Sequence, residues 1–205
     1  MDDEPNMPSY VEILGYVAAI FSVGWILPQT VKAIRTRSVG DLEPMTIILM
    51  ATAIGTWGYY GCRIHSDSVV AANVVALLLY LPLMVLRLSH DDKAKSKVIL
   101  LPIVATLVIG ACAIAPAYLV GYMAAGLNFA STVFQISKSH GTKSVGDISA
   151  LALGVRITAL ILWAGYGTLT GATPLIVTNL LGIVVIAGMI YQRTAYRTTK
   201  NDVTT

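Results

Sequence analysis

From Val98 to Ile136 the chain runs for 39 residues without a polar loop. As one helix that run would be about 58 Å long, nearly twice the hydrocarbon thickness of a bilayer. It must therefore fold back. Pro116, near its middle, lacks an N–H and clashes with the preceding turn, so it is the expected break. Apolar runs of roughly 20 residues, the length of one crossing, recur along the whole sequence. They are Tyr10–Ile34, Leu42–Ile64, Val69–Leu88, Val98–Ala117, Tyr118–Ile136, Val145–Leu169 and Pro174–Tyr191. Of the 205 residues, 56% are hydrophobic and 12% charged. That is about half the charged share of a soluble domain, which excludes an ordinary cytosolic enzyme, a nucleic-acid partner and a disordered tail. The acidic opening, Met1 to Glu4, lacks the basic n-region and cleavage site of a signal peptide. The expectation is an all-α membrane protein with seven spans, whose solvent is the lipid bilayer.

The basic residues orient it. With the N-terminus outside, Lys32, Arg35, Arg37, Arg87, Lys93, Lys95, Lys97, Lys138, Lys143, Arg193, Arg197 and Lys200 all fall inside, twelve of the 14 Lys and Arg. Arg63 stays outside and Arg156 lies within a span. Such a bias predicts an external N-terminus and a cytoplasmic C-terminus, as in a plasma-membrane protein. Merging the fourth and fifth spans would break it.

The chain also repeats itself. An offset of 106 residues aligns Gly15–Arg87 with Gly121–Arg193 without a gap. Gly15-Tyr16 falls on Gly121-Tyr122, Gln29 on Gln135, Lys32 on Lys138, and Ser38-Val39-Gly40-Asp41 on Ser144-Val145-Gly146-Asp147. Trp57, Tyr60, Gly61 and Asn73 fall on Trp163, Tyr166, Gly167 and Asn179. Two three-helix units joined by one helix enter the membrane in the same direction, so the repeats are parallel. The expected division is an extracellular segment 1–9, a first unit 10–88, a loop and linker helix 89–117, a second unit 118–192 and a cytoplasmic tail 193–205.

Trp57 lies about 12 Å, and Asn73 about 9 Å, below the short loop His65–Ser68 at 1.5 Å per residue. The two share a level, and Trp163 with Asn179 repeats it. An indole stacks on the flat face of a sugar, and an amide both donates to and accepts from paired hydroxyls. Two such pairs make a polar slot with apolar walls, and Ser22 and Asn128 are counted with them as substrate-binding residues. The alternative is that the Trp are interfacial belt residues and the Asn tie helices together.

The motifs that close the argument are Leu27-Pro28-Gln29, Thr36-Arg37-Ser38-Val39-Gly40-Asp41, Trp57-Gly58-Tyr59-Tyr60-Gly61 and Asn73. Their partners are Gln135, Thr142-Lys143-Ser144-Val145-Gly146-Asp147, Trp163-Ala164-Gly165-Tyr166-Gly167 and Asn179. In these the chain resembles the SWEET/SemiSWEET branch of the PQ-loop (MtN3/saliva) superfamily, over about residues 10 to 193 and in its seven-span form. The resemblance implies two units, each ordered in space first, third, second. It also implies a central sugar pocket lined by the Trp and Asn pairs, and prolines acting as hinges. Pro28 matches the family there, but Phe134 replaces it in the second unit, and Pro44 is matched by Ala150. Any bending of the second unit would then fall at Gly126 or Gly154.

Further path or gate residues are Gln29, Gln135, Tyr60, Tyr166, Arg63, Asp67 and Arg156. Tyr60, Arg63 and Asp67 form one expected outer gate; Arg63 and Asp67 read equally well as a solvated loop pair. Asp41 and Asp147 are expected to cap the second and sixth spans. Arg156 is matched by Met50 in the first unit and shares a helix face with Trp163. A mid-span Arg costs at least about 2.5 kcal/mol, so it lines the interior, receives an anionic group, or snorkels to the inner surface. No Asp or Glu lies mid-span and His65, His90 and His140 sit in loops, which favours uniport over proton coupling.

No phosphate loop, metal-ligand spacing or catalytic set occurs, so neither catalysis nor a cofactor nor a metal is expected. Cys62 and Cys112 read best as free thiols. The lead expectation is facilitated diffusion of a small sugar by alternating access. Two others stand beside it: a carrier of an amino acid or small anion using Arg156, and a sorting receptor for a peptide carboxylate.

Overall fold

The computed structural model describes residues 8–38, 44–90, 100–142 and 150–202. Among these the chain is entirely helical. Seven helices follow in order: α1 (Ser9–Thr36), α2 (Pro44–Arg63), α3 (Asp67–His90), α4 (Leu100–Ile114), α5 (Ala117–Thr142), α6 (Ala150–Thr170) and α7 (Thr173–Asp202). Pro116 does break the long apolar run. It stands between α4 and α5, and its carbonyl accepts the first free amides of α5, from Leu119 at 3.0 Å and Val120 at 3.3 Å. Pro28, by contrast, sits inside an uninterrupted α1. The last helix runs beyond the expected Tyr191 to Asp202. Asp41 and Asp147 lie outside the described residues.

Helix contacts give the architecture. α1 packs on α3 and α3 on α2, so the first unit is ordered first, third, second; α5, α7 and α6 repeat that order. The units meet through α2 on α5 and α1 on α6, a pseudo-two-fold arrangement, and α4 lies against α2. This is an integral membrane protein. Ser9–Thr36, Asp67–Arg87 and Leu151–Thr170 are long and apolar enough to cross a membrane by themselves. α2 is less apolar because it carries Thr46, Thr52 and Thr56, all buried; Thr52 and Thr56 donate to the carbonyls of Ile48 and Thr52 at 2.8 Å, so no hydroxyl proton of theirs is stranded in lipid.

The two short turns are copies of one another. Ser66 N donates to Gly61 O at 3.0 Å, and Ala172 N to Gly167 O at 2.8 Å. Each turn passes through the left-handed region at one residue, His65 with φ 53° in the first and Gly171 with φ 68° in the second. A side chain is disfavoured there by about 1 kcal/mol. Gly171→Ala should therefore lower the thermal midpoint of the detergent-solubilised protein by about 2–4 °C. An unchanged midpoint would contradict the turn geometry. The contiguous apolar core, with Val11, Ala18, Val69, Val120, Tyr60 and Tyr166 among its members, gathers at this end of the bundle, called the turn end below.

Candidate functional site

The site grows from residues that the repeat places at equal depth on facing helices. Trp57 and Tyr60, one turn apart on α2, meet edge to face with ring centroids 5.5 Å apart and planes at 79°. Trp163 and Tyr166 on α6 repeat this at 5.6 Å and 82°. All four rings are buried. That geometry sets the positive edge of one ring against the negative face of the other, which restrains both indole planes.

Asn73 and Asn179 are equally matched. Each amide nitrogen donates to the carbonyl one turn back, Val69 at 2.8 Å and Leu175 at 2.7 Å. One amide hydrogen is thereby spent on holding the side chain still. The amide oxygen and the second hydrogen have no partner among the described residues, and both suit a ligand hydroxyl. Asn73 lies beside the level of Trp57, since a Cβ on Gly58 would stand 3.6 Å from its own. The symmetry then weakens. Trp163 Nε1 donates to Ser22 Oγ at 3.0 Å, and Ser22 donates to Ala18 O at 3.0 Å. The position matching Ser22 is Asn128, half-buried on α5, whose carbonyl accepts Thr132 Oγ1 at 3.0 Å. So α1 and α6 are tied across the unit boundary by a hydrogen bond at the slot.

Closure of the turn end involves residues that the sequence did not single out. Gly15 lets α1 approach α3 and α6 so closely that a Cβ there would land on Ser68 Oγ and stand 2.9 Å from Tyr166 Cε2. Its equivalent, Gly121, would meet Pro174 Cβ at 2.7 Å and Tyr60 Cε2 at 3.0 Å. Each Tyr thus seats on the glycine of the opposite unit. On one side a polar cluster is added. Tyr166 Oη lies 2.6 Å from Ser66 Oγ and donates to Glu12 Oε1 at 3.0 Å. Glu12 Oε2 accepts the Ser68 amide at 3.0 Å, so it also caps α3 from outside that helix. The equivalents of Glu12, Ser66 and Ser68 are Tyr118, Ala172 and Pro174, which bring no carboxylate to Tyr60.

The expected Arg63–Asp67 pair does not form among the described residues. Arg63 lies 3.4 Å from Tyr59 Oη and 3.4 Å from Cys112 O, tying α2 to α4, while Asp67 is exposed in the first turn of α3. Cys62 and Cys112 are free thiols. Toward the other end, Arg156 stacks on Trp25, its guanidinium carbon 4.9 Å from the ring centroid. Pro28 is exposed, and the side chains of Gln29 and Gln135 lie outside the described residues. Gly15-Tyr16 and Gly121-Tyr122 stood in the repeat as a signal of the closure. Glu12, Ser66, Ser68 and Trp25 had none, because each is unmatched in the other unit.

Comparison with known proteins bears on the family and the fold. Residues 10–70 match the PQ loop repeat family. The sugar transporter SemiSWEET of Escherichia coli is 33% identical over 81 residues, which are 40% of this chain and 91% of that protein. The sugar transporter SemiSWEET of Bradyrhizobium diazoefficiens is 26% identical over 83 residues, 40% of this chain and 96% of the relative. Both are proteins of about one unit's length, as a duplicated chain requires. The structure of a eukaryotic SWEET transporter superposes with a TM-score of 0.68 at 16% identity, covering 92% of this chain and 99% of the other, a likeness of fold. With its doubled motifs, its first–third–second helix order and a half-length relative matched almost end to end, the chain belongs to the SWEET/SemiSWEET branch of the PQ-loop family.

Proposed function

We propose that the protein moves a small sugar down its gradient by alternating access, with the slot between the two units as its binding site. The observation that carries this reading is the mirrored set of Trp57–Tyr60 with Asn73 and Trp163–Tyr166 with Asn179. Fixed indole walls and amides with free hydrogen-bonding capacity are what a polyhydroxylated ring needs. Ser22 and Asn128 complete the lining, with Ser22 setting the tilt of Trp163. The turn end, held by Gly15, Gly121 and the Glu12 cluster, acts as the outer gate, so the described conformation is closed to the outside. Rocking of the units then opens the inner mouth around Pro28, Gln29 and Gln135. The lysine and arginine bias supports an external N-terminus and a cytoplasmic C-terminus. Uniport is supported by the lack of Asp, Glu or His within the spans near the slot.

The test is uptake of radiolabelled glucose and sucrose into proteoliposomes without any ion gradient. Uptake should be saturable and fall at least ~10-fold in the Asn73→Ala/Asn179→Ala double variant, at about 1 kcal/mol or more for each lost hydrogen bond. A well-folded protein that moves neither of these, nor a sugar acid, would overturn the sugar reading. Full uptake by the double variant would move the binding site elsewhere.

A further inference from the structure

We infer that the slot is built for a sugar bearing a carboxylate, which Arg156 receives. This inference rests on the sugar reading and narrows it. Ser22 and Trp25 are three residues apart on α1, about 4.5 Å along the axis. Ser22 holds the indole of Trp163, and Trp25 lies under the guanidinium of Arg156. On α6 Arg156 lies seven residues from Trp163, two helical turns or about 10.5 Å along the axis, on the same interface with α1. It is the floor of the slot rather than a remote membrane cation.

Among the described residues no carboxylate or carbonyl takes the N–H donors of Arg156, whose guanidinium rests on the Trp25 ring. No Asp or Glu lies between Asp147 and Asp202. Glu12, the acid on α1, is thirteen residues from Trp25, about 20 Å, and is engaged at the turn end. The equivalent place in the other interface holds Met50 and Ser131, and there Ser131 Oγ closes the gap by donating to Thr46 O at 3.2 Å. One interface is sealed by a neutral tie while the other keeps a cation, so the slot has one charged end.

The geometry selects the kind of anion. With its carbon 4.9 Å from the Trp25 ring centroid, the guanidinium is left open to a ligand on the sides away from the indole. There two parallel N–H donors match the two oxygens of a planar carboxylate. A phosphate would bring nearly two negative charges against a single cation. A hexuronate, with its carboxylate at one end of a pyranose ring, places the ring toward the Trp163 wall and the carboxylate toward Arg156, along the two turns of α6 that separate them.

The test uses D-glucuronate and D-glucose side by side, read as tryptophan fluorescence in detergent and as counterflow in proteoliposomes. The unaltered protein should bind glucuronate at least ~10-fold more tightly than glucose, as a charge-assisted contact predicts, and the margin should shrink in high salt. Arg156→Met should bring the ratio of the two affinities to about one. Arg156→Lys, which keeps the charge without the fork, should retain part of the margin and serves as the folding control. A glucose response with a ratio near one in the unaltered protein overturns this inference alone. No response to either sugar removes the sugar reading and this inference with it. A margin that survives Arg156→Met places the carboxylate elsewhere and also overturns it.

Discussion

Adding a single methyl group at Gly15 or at Gly121 should abolish most transport while the helices still form. The reason is steric and lies at the turn end. At Gly15 the new Cβ would fall on Ser68 Oγ, 2.7 Å from Ser68 Cβ and 2.9 Å from Tyr166 Cε2. Ser68 cannot swing aside freely, because its amide is bound to Glu12. At Gly121 the obstacle is the ring of Pro174, 2.7 Å away at both Cβ and Cγ, at the rigid start of α7. Overpacking of this kind costs about 1–3 kcal/mol, and here it falls on the closed turn end alone. A transporter that alternates must close that end once per cycle, so uptake should drop by roughly 10–100-fold for each variant. Gly55→Ala and Gly110→Ala supply the control, since a Cβ at either meets nothing within 4 Å. Both should transport at the parental rate. Parental uptake by Gly15→Ala would show that the close approach of α1 is not needed for the cycle.

Those glycines also mark the boundary of what the sequence discloses. The seven helices, the break at Pro116 and the paired Trp and Asn positions were legible, because apolar run length, a missing amide and an ungapped offset are local or periodic signals. The depth of Trp57 and Asn73 followed from counting residues along helices. What stayed hidden is the set of contacts that belong to one interface only. Trp163 meets Ser22 across 141 residues and Tyr166 meets Glu12 across 154, and no spacing rule joins such pairs. The expected outer gate kept Tyr60, Arg63 and Asp67 within one unit. In the fold Tyr60 turns instead to Gly121 and Pro174 of the other unit, and Arg63 to Tyr59 and Cys112. Arg156 stood out as a charge in a span, yet its partner Trp25 has no counterpart in the repeat to point to it.

The same asymmetry yields the second large effect. Removing Glu12 should open the turn end far more than removing any polar group around Tyr60. Glu12 joins three helices: its carboxylate sits on α1, accepts the Ser68 amide in the first turn of α3, and receives the hydroxyl of Tyr166 from the other unit. Hydrogen bonds to a charged group contribute about 1.5–3 kcal/mol each. Glu12→Ala loses both, which shifts the closed-to-open balance of that end by ~100-fold or more. Tyr166→Phe loses one of them together with the 2.6 Å contact to Ser66, and should shift it about 10-fold. Tyr60→Phe keeps the ring that seats on Gly121, and the positions matching Glu12, Ser66 and Ser68 hold Tyr118, Ala172 and Pro174, none of them a carboxylate. It should therefore behave nearly as the parent. Spin labels at Arg63 and Leu169, equivalent positions near the turn-end limits of α2 and α6, report the opening as a distance distribution. The long-distance population should grow in the order Tyr60→Phe, Tyr166→Phe, Glu12→Ala. Equal opening in the two tyrosine variants would mean that the gate works through ring packing alone, with the carboxylate a bystander. A graded response would make this a carrier whose two structurally equivalent halves divide the labour, one interface locking the outer mouth by hydrogen bonds and the other closing it by packing.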